Sequence, residues 1–197
     1  MGPHRLGRTN QDADKESRLF VRERFEWSLV DEVATRIFDK YGKPQVDLFA
    51  SRLNHKLECH FSLFADPGAM RIDGFAHNWS GIYAYAFPPF NLIARTIRKA
   101  VKDGAIIILV TPLWQSRSWF PLALEHAKEP PVVLQCSRPI LTNAQNCPHP
   151  LLLQKNFVLL AWKIYPNVGK REGWANLPSP SCWPVGLQTL DGNMNLP

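Results

Sequence analysis

The sequence predicts an α/β fold with a doubly wound sheet, and three observations carry that expectation. Ala105-Ile106-Ile107-Ile108-Leu109-Val110 is apolar at every position, as in a parallel strand covered by helices on both faces. Shorter apolar runs at Val46–Ala50, Ile82–Phe87, Val132–Leu134 and Phe157–Trp162 are separated by helix-period stretches. Strand–helix–strand alternation of this kind implies right-handed crossovers. Ligands of such sheets sit at the carboxyl ends of the strands.

Taken in order, the first helix is predicted after Ser28, with Val30, Val33, Ala34, Ile37 and Phe38 stepping by three and four. Asp31, three residues after Ser28, gives a capping-box spacing, and Gly42 and Pro44 stop the helix. Val46-Asp47-Leu48-Phe49-Ala50 reads as a short buried strand that runs into a polar turn. The strand at Ile82–Phe87 ends at Pro88-Pro89. A helix over 91–101 buries Ile93, Ile97, Ala100 and Val101 and turns Arg95, Arg98, Lys99 and Lys102 outward. A further helix is expected over 118–127.

The 197 residues suit one domain, and 45% hydrophobic with 20% charged residues excludes wholesale disorder. The compact core is placed at residues 20–165, with a helical lead-in over 20–44 and the sheet over 45–165. Residues 166–197 lose apolar periodicity and carry Pro166, Pro178, Pro180, Pro184 and Pro197, so a loose tail is expected. No apolar run approaches the roughly 20 residues that cross a bilayer, and the first residues lack a signal-peptide core. The expectation is a soluble, intracellular protein, cytoplasmic or nuclear, without membrane contact.

A net charge of +6 favours anionic partners, DNA or RNA first, although the basic residues are thinly spread. Cys59, Cys136, Cys147 and Cys182 show no paired spacing, which suits free thiols in a reducing compartment. His55, Cys59 and His60 with Cys147 or His149 do not repeat at a zinc-finger spacing, so no metal site is expected. Dinucleotide, Walker, nucleophile-elbow and zincin motifs are absent.

Three stretches stand at the strand ends. Val46-Asp47-Leu48-Phe49-Ala50-Ser51, followed by Asn54, can offer a carboxylate and backbone groups, or be an ordinary turn. In Phe87-Pro88-Pro89-Phe90-Asn91 the two prolines stiffen the backbone and remove two N–H donors. A ring held beside them suits stacking on a nucleobase, and the same rigidity suits a plain strand-to-helix elbow. Thr111-Pro112-Leu113-Trp114, with Trp119 and Phe120 behind it, offers aromatics for a base pocket or for edge packing.

In order, V-D-L-F-A-S, D-G-F-x-x-x-W (Asp73, Gly74, Phe75, Trp79), F-P-P-F and L-V-T-P-L-W-x-x-x-x-W-F resemble the methyltransferase-like segment of DIRS-type retrotransposons. That segment is similar to phage Dam-type DNA adenine methyltransferases, and the resemblance covers about residues 25–165. It implies a Rossmann-like, methyltransferase-like sheet. Asn10-Gln11-Asp12-Ala13-Asp14-Lys15-Glu16-Ser17-Arg18 is similar to the closing stretch of a retroelement RNase H domain, so residues 1–19 resemble its remnant. Asp14 matches one metal-binding carboxylate of that domain, and one carboxylate cannot hold two magnesium ions, so it is expected to be inert. The proline-rich tail then resembles a linker towards a tyrosine recombinase.

The resemblance implies roles residue by residue. In the adenine methyltransferases the motif is D/N-P-P-Y/F/W, whose first side chain and following proline carbonyl accept the amino group of a flipped adenine. Pro88, Pro89 and Phe90 match that motif, whereas Phe87 stands where the polar acceptor belongs. Losing a charge-assisted acceptor is worth roughly 1.5–3 kcal/mol, or about ten- to a hundredfold in rate if felt in the transition state. Asp47, Ser51, Asn54 and Asp73 fall to the donor S-adenosylmethionine, in the absence of a glycine-containing turn. Arg95, Arg98, Lys99 and Arg117 fall to phosphates, with Trp114 beside the base. The implied function is a polyprotein segment with this fold, with catalysis weak or lost and nucleic-acid binding retained. Alternatives are an active DNA adenine methyltransferase and a structural spacer between polymerase and recombinase.

Overall fold

The structure, a computed structural model, describes residues 27–134, 139–143, 145–153 and 157–167. The remnant at 1–19 with Asp14, the tail beyond 167, Cys136 and Cys182 lie outside the described residues. The elements are β1 (Trp27–Leu29), α1 (Asp31–Tyr41), β2 (Val46–Asp47), β3 (Phe61–Ser62), β4 (Arg71–Ile72), β5 (Tyr83–Ala86), α2 (Ile93–Asp103), β6 (Ile106–Pro112), α3 (Trp119–His126), β7 (Val132–Leu134), β8 (Leu141–Asn143) and β9 (Leu159–Ile164). Short 3-10 turns occupy Gly74–Ala76, Phe90–Leu92 and Pro150–Leu153.

The fold is mixed α/β. Five strands form one sheet in the order β2-β5-β6-β9-β7. β2, β5 and β6 run parallel, while β9 lies antiparallel between β6 and β7. A single parallel bridge from Asp47 to His60 carries the pairing outward to β3, which pairs in parallel with β4. Through that bridge the chain steps away from β2 in one direction as far as β4. It then returns to the other side of β2 to lay down β5 and β6.

Both faces of the sheet are covered, which is why β6 reads as an unbroken apolar run. On one face Val33, Ile37 and Tyr41 of α1 pack with Tyr85, Ile108 and Val110. On the other, Ile93, Ile97 and Ala100 of α2 and Trp119, Phe120 and Ala123 of α3 pack with Ala84, Ala86, Ile107, Leu109 and Trp162. α2 ends where Gly104 takes a left-handed φ of 78° and its N–H returns to Ala100 and Val101, a conformation that favours glycine.

Several expectations need correction. Ser28 does not cap α1, because it is a strand residue of β1 paired with Thr142 of β8. Val30 occupies the cap position without a side-chain bond, and its N–H is taken by the Ile140 carbonyl. The strand expected at Val46–Ala50 pairs only over Val46–Asp47, although Leu48, Phe49 and Ala50 remain buried. The last strand is shifted to Leu159–Ile164 and runs antiparallel, so the sheet is mixed.

Trp79 ties the segment after β4 to α2. It is fully buried, its Nε1 donates to the Gly74 carbonyl at 2.8 Å, and its backbone N–H donates to Asp103 at 2.9 Å. Replacing Trp79 with Ala is expected to cost about 3–5 kcal/mol in urea unfolding, and Trp79→Phe distinctly less, because Phe keeps an aromatic ring in the site and gives up the indole hydrogen bond with only part of the buried volume. Equal losses for the two variants would show that the ring's volume is not what the site uses.

Candidate functional site: an aromatic rim at the strand ends

The carboxyl ends of β2, β5 and β6 lie side by side because the three strands are parallel and in register. What each end presents there differs sharply. Asp47, at the end of β2, is turned inward and only 2% exposed. Its carboxylate accepts the backbone N–H of Lys56 at 3.0 Å and of Phe49 at 3.4 Å. Burial raises its pKa from the ordinary 3.8 to about 6, against the opposing pull of the Lys56 and Phe49 N–H groups. The carboxylate braces the loop that follows β2.

The other residues assigned to the methyl donor are also engaged within their own turns. Asn54 Oδ1 accepts the Ser51 N–H at 2.7 Å, and Ser51 Oγ accepts the Leu53 N–H at 3.2 Å. Asp73 adopts a φ of 50°, and its carboxylate accepts the Phe75 N–H at 3.1 Å, which caps the first 3-10 turn. The rings of Phe49, Phe75 and Trp79 contact one another within the same core cluster as Val46 and Leu48. The Arg95 guanidinium lies 4.0 Å from the centroid of Phe75.

The proline segment builds a different surface. Pro88 is buried and Pro89 exposed, and the Pro89 carbonyl accepts the Leu92 N–H at 2.8 Å, which starts the turn into α2. That turn presents Phe90. Its ring meets Trp114, from the loop after β6, edge to face with centroids 5.1 Å apart. Phe87 lies 6.4 Å from Phe90 and packs towards the α1 face of the sheet. Arg117 reaches back over Trp114 at 5.5 Å, helped by a backbone hydrogen bond from its N–H to the Trp114 carbonyl.

The row of rings continues beyond what the sequence motifs named. Trp114 contacts Phe157 at 6.5 Å, Phe157 stacks with His149 at 6.4 Å, and His149 meets Trp27 at 4.3 Å. Burial holds the His149 pKa below its usual value, which favours the neutral ring in this stack. Phe157 was expected inside the last strand but lies just before it, and nothing near it in sequence pointed to Trp114. The register of β9 on β6 supplies that contact, extended by Leu113 N–H to the Val158 carbonyl at 2.8 Å.

The four cations assigned to phosphates therefore separate into two groups. Arg98 and Arg117 are exposed, as is Arg95, and Arg117 lies at the rim over Trp114. Lys99 is bound to Asp103 at 2.7 Å and lies over Trp79, and Arg95 covers Phe75, so both have structural work within α2's own surroundings. Among the described residues no group of three or more His, Cys, Asp or Glu is arranged to hold a metal, and no helix is long and apolar enough to cross a membrane. No protein-family model matches the chain, and no curated protein matches it.

Asp47 gives this loop a pH dependence. Between about pH 4 and 6 the unfolded chain releases the Asp47 proton while the folded chain keeps it, so folding stability falls as pH rises through that window. The full effect above pH 6 is roughly 3 kcal/mol. Chemical unfolding of Asp47→Asn across pH 3.5–7.5 is expected to lack that decline, so the natural chain loses ground against it between pH 4 and 6 and holds a constant difference above. Parallel curves for the two proteins would refute the assignment.

Proposed function

We propose that the chain is a retroelement-derived segment with a Dam-like adenine methyltransferase fold that has weak or no catalysis and binds an unstacked nucleobase on the rim of Phe90 and Trp114. The observation that carries this reading is the edge-to-face pair of Phe90 and Trp114, anchored by the proline turn and covered on one side by Arg117. A ring fixed on two independent strand ends loses little freedom on stacking a base, and such stacking tolerates any base.

The reversal of strand order on the two sides of β2 supports a doubly wound, Rossmann-like reading of the sheet. In such sheets the crevice outside the carboxyl ends at the reversal point is where ligands bind. The proline turn follows β5 on one side of that point. Loss of catalysis is supported by Phe87, whose ring cannot accept an amine hydrogen. It is supported again by the Asp47 carboxylate, which is buried and engaged with the backbone N–H groups of Lys56 and Phe49. S-adenosylmethionine binding is accordingly expected to be weak or absent.

Fluorescence anisotropy with a labelled single-stranded oligonucleotide tests the reading. The natural chain is expected to bind, with affinity falling steeply as salt rises because phosphate contacts release counterions. Trp114→Ala is expected to weaken binding by about 5- to 150-fold, the worth of one stacked base, while Arg98→Ala reduces the salt dependence. Absence of binding with an intact circular dichroism spectrum would support the spacer reading instead. Methyl transfer from labelled S-adenosylmethionine to adenine-containing DNA is expected at background, and robust transfer would establish the active-enzyme reading.

A further inference from the structure

A second constellation lies away from the rim, where β3 and β4 meet the segment that leads into β5. A cavity of about 410 Å³ opens there, and its lining includes Cys59, Met70, His77, Phe61 and Arg71. Adjacent chain segments bring the two sulfur atoms together, since the Met70 N–H donates to the His60 carbonyl at 2.9 Å. The Cys59 thiol points at the Met70 thioether, 3.1 Å from sulfur to sulfur. His77 Nε2 lies 3.0 Å from the Ile72 carbonyl. A carbonyl only accepts, so Nε2 carries the ring proton and Nδ1 keeps its lone pair.

We propose that Cys59, Met70 and His77 form a binding site for a soft monovalent cation, Cu(I). The donor set is one thiolate, one thioether and one imidazole, and soft sulfur ligands select Cu(I) over harder divalent ions. The hydrogen bond from Nε2 to a backbone carbonyl is the outer support that metal-binding histidines ordinarily use to fix tautomer and ring orientation. Met70 is 64% exposed, so an ion reaches the sulfur pair from solvent without opening the core. On binding, the Cys59 S–H bond breaks and a Cu–S bond forms. The proton leaves to solvent, and neither copper nor sulfur changes oxidation state. Affinity therefore rises with pH.

The test uses the full chain, reduced and handled without oxygen, titrated with Cu(I) in competition with a chromogenic chelator. One tightly bound equivalent is expected, and X-ray absorption of the loaded protein should show both sulfur and nitrogen or oxygen neighbours. A variant with Cys136, Cys147 and Cys182 all changed to Ser should keep that equivalent. Cys59→Ser should lose it, and Met70→Leu and His77→Gln should each weaken it by about tenfold or more. Silver(I), which is inert to redox under these conditions, should follow the same order, and circular dichroism checks that each variant folds. Retained binding in Cys59→Ser, or unchanged affinity in both Met70→Leu and His77→Gln, would overturn the proposal.

Discussion

The antiparallel register of β9 against β6 is the constraint on which the rest of the molecule depends. Six residue pairs join Ile107–Pro112 to Leu159–Ile164. That register sends Leu160, Trp162 and Ile164 into the face covered by α2 and α3, and Leu159 and Ala161 into the face covered by α1. Slipping it by one residue would exchange the two sets and turn Trp162 towards α1. The buried hydrogen bond from Trp162 Nε1 to Thr111 Oγ1, at 2.9 Å, pins the register where an indole without a partner would be costly. The same ladder, prolonged to Val158, delivers Phe157 to Trp114. Core packing and the aromatic rim thus have one cause.

The rim joins two kinds of rigidity. The proline turn fixes one ring by restricting the backbone, and the end of β6 fixes the other by sheet pairing. Neither ring depends on a long flexible side chain. The carboxylate end of β2 serves the opposite purpose. Asp47 turns its carboxylate to two backbone N–H groups and so ties down the segment that follows β2. A surface suited to receiving a flat apolar ring therefore stands beside one from which polar groups have been withdrawn.

Much of this was legible in the sequence. The continuous apolar run at Ala105–Val110 announced a strand buried on both faces, and the helical periods gave α1, α2 and α3 to within a few residues. The direction of β9 was not legible, because an apolar run reads the same in either orientation. β3 and β4 were missed because each pairs over two residues, and exposed Arg71 and Ile72 offer no alternation to detect. At the rim, F-P-P-F and Trp114 pointed to the same edge, and the structure joins them. The inward turn of Asp47 escaped notice because its partners are backbone N–H groups, which no side-chain pattern records. Lys99 was read as an outward cation although Asp103 stands four residues on, the spacing of a helical ion pair, and the link from Asp103 to the Trp79 backbone was not legible.

Placing β9 between two strands that precede it in sequence also governs how the chain is made. As synthesis proceeds from the amino end, β6 and β7 leave the ribosome before their shared neighbour exists. Until β9 follows, each carries a row of free amides and carbonyls open to other nascent chains. A product that stops short of Leu159 keeps those edges permanently, and the sheet closes only when Ile164 has emerged.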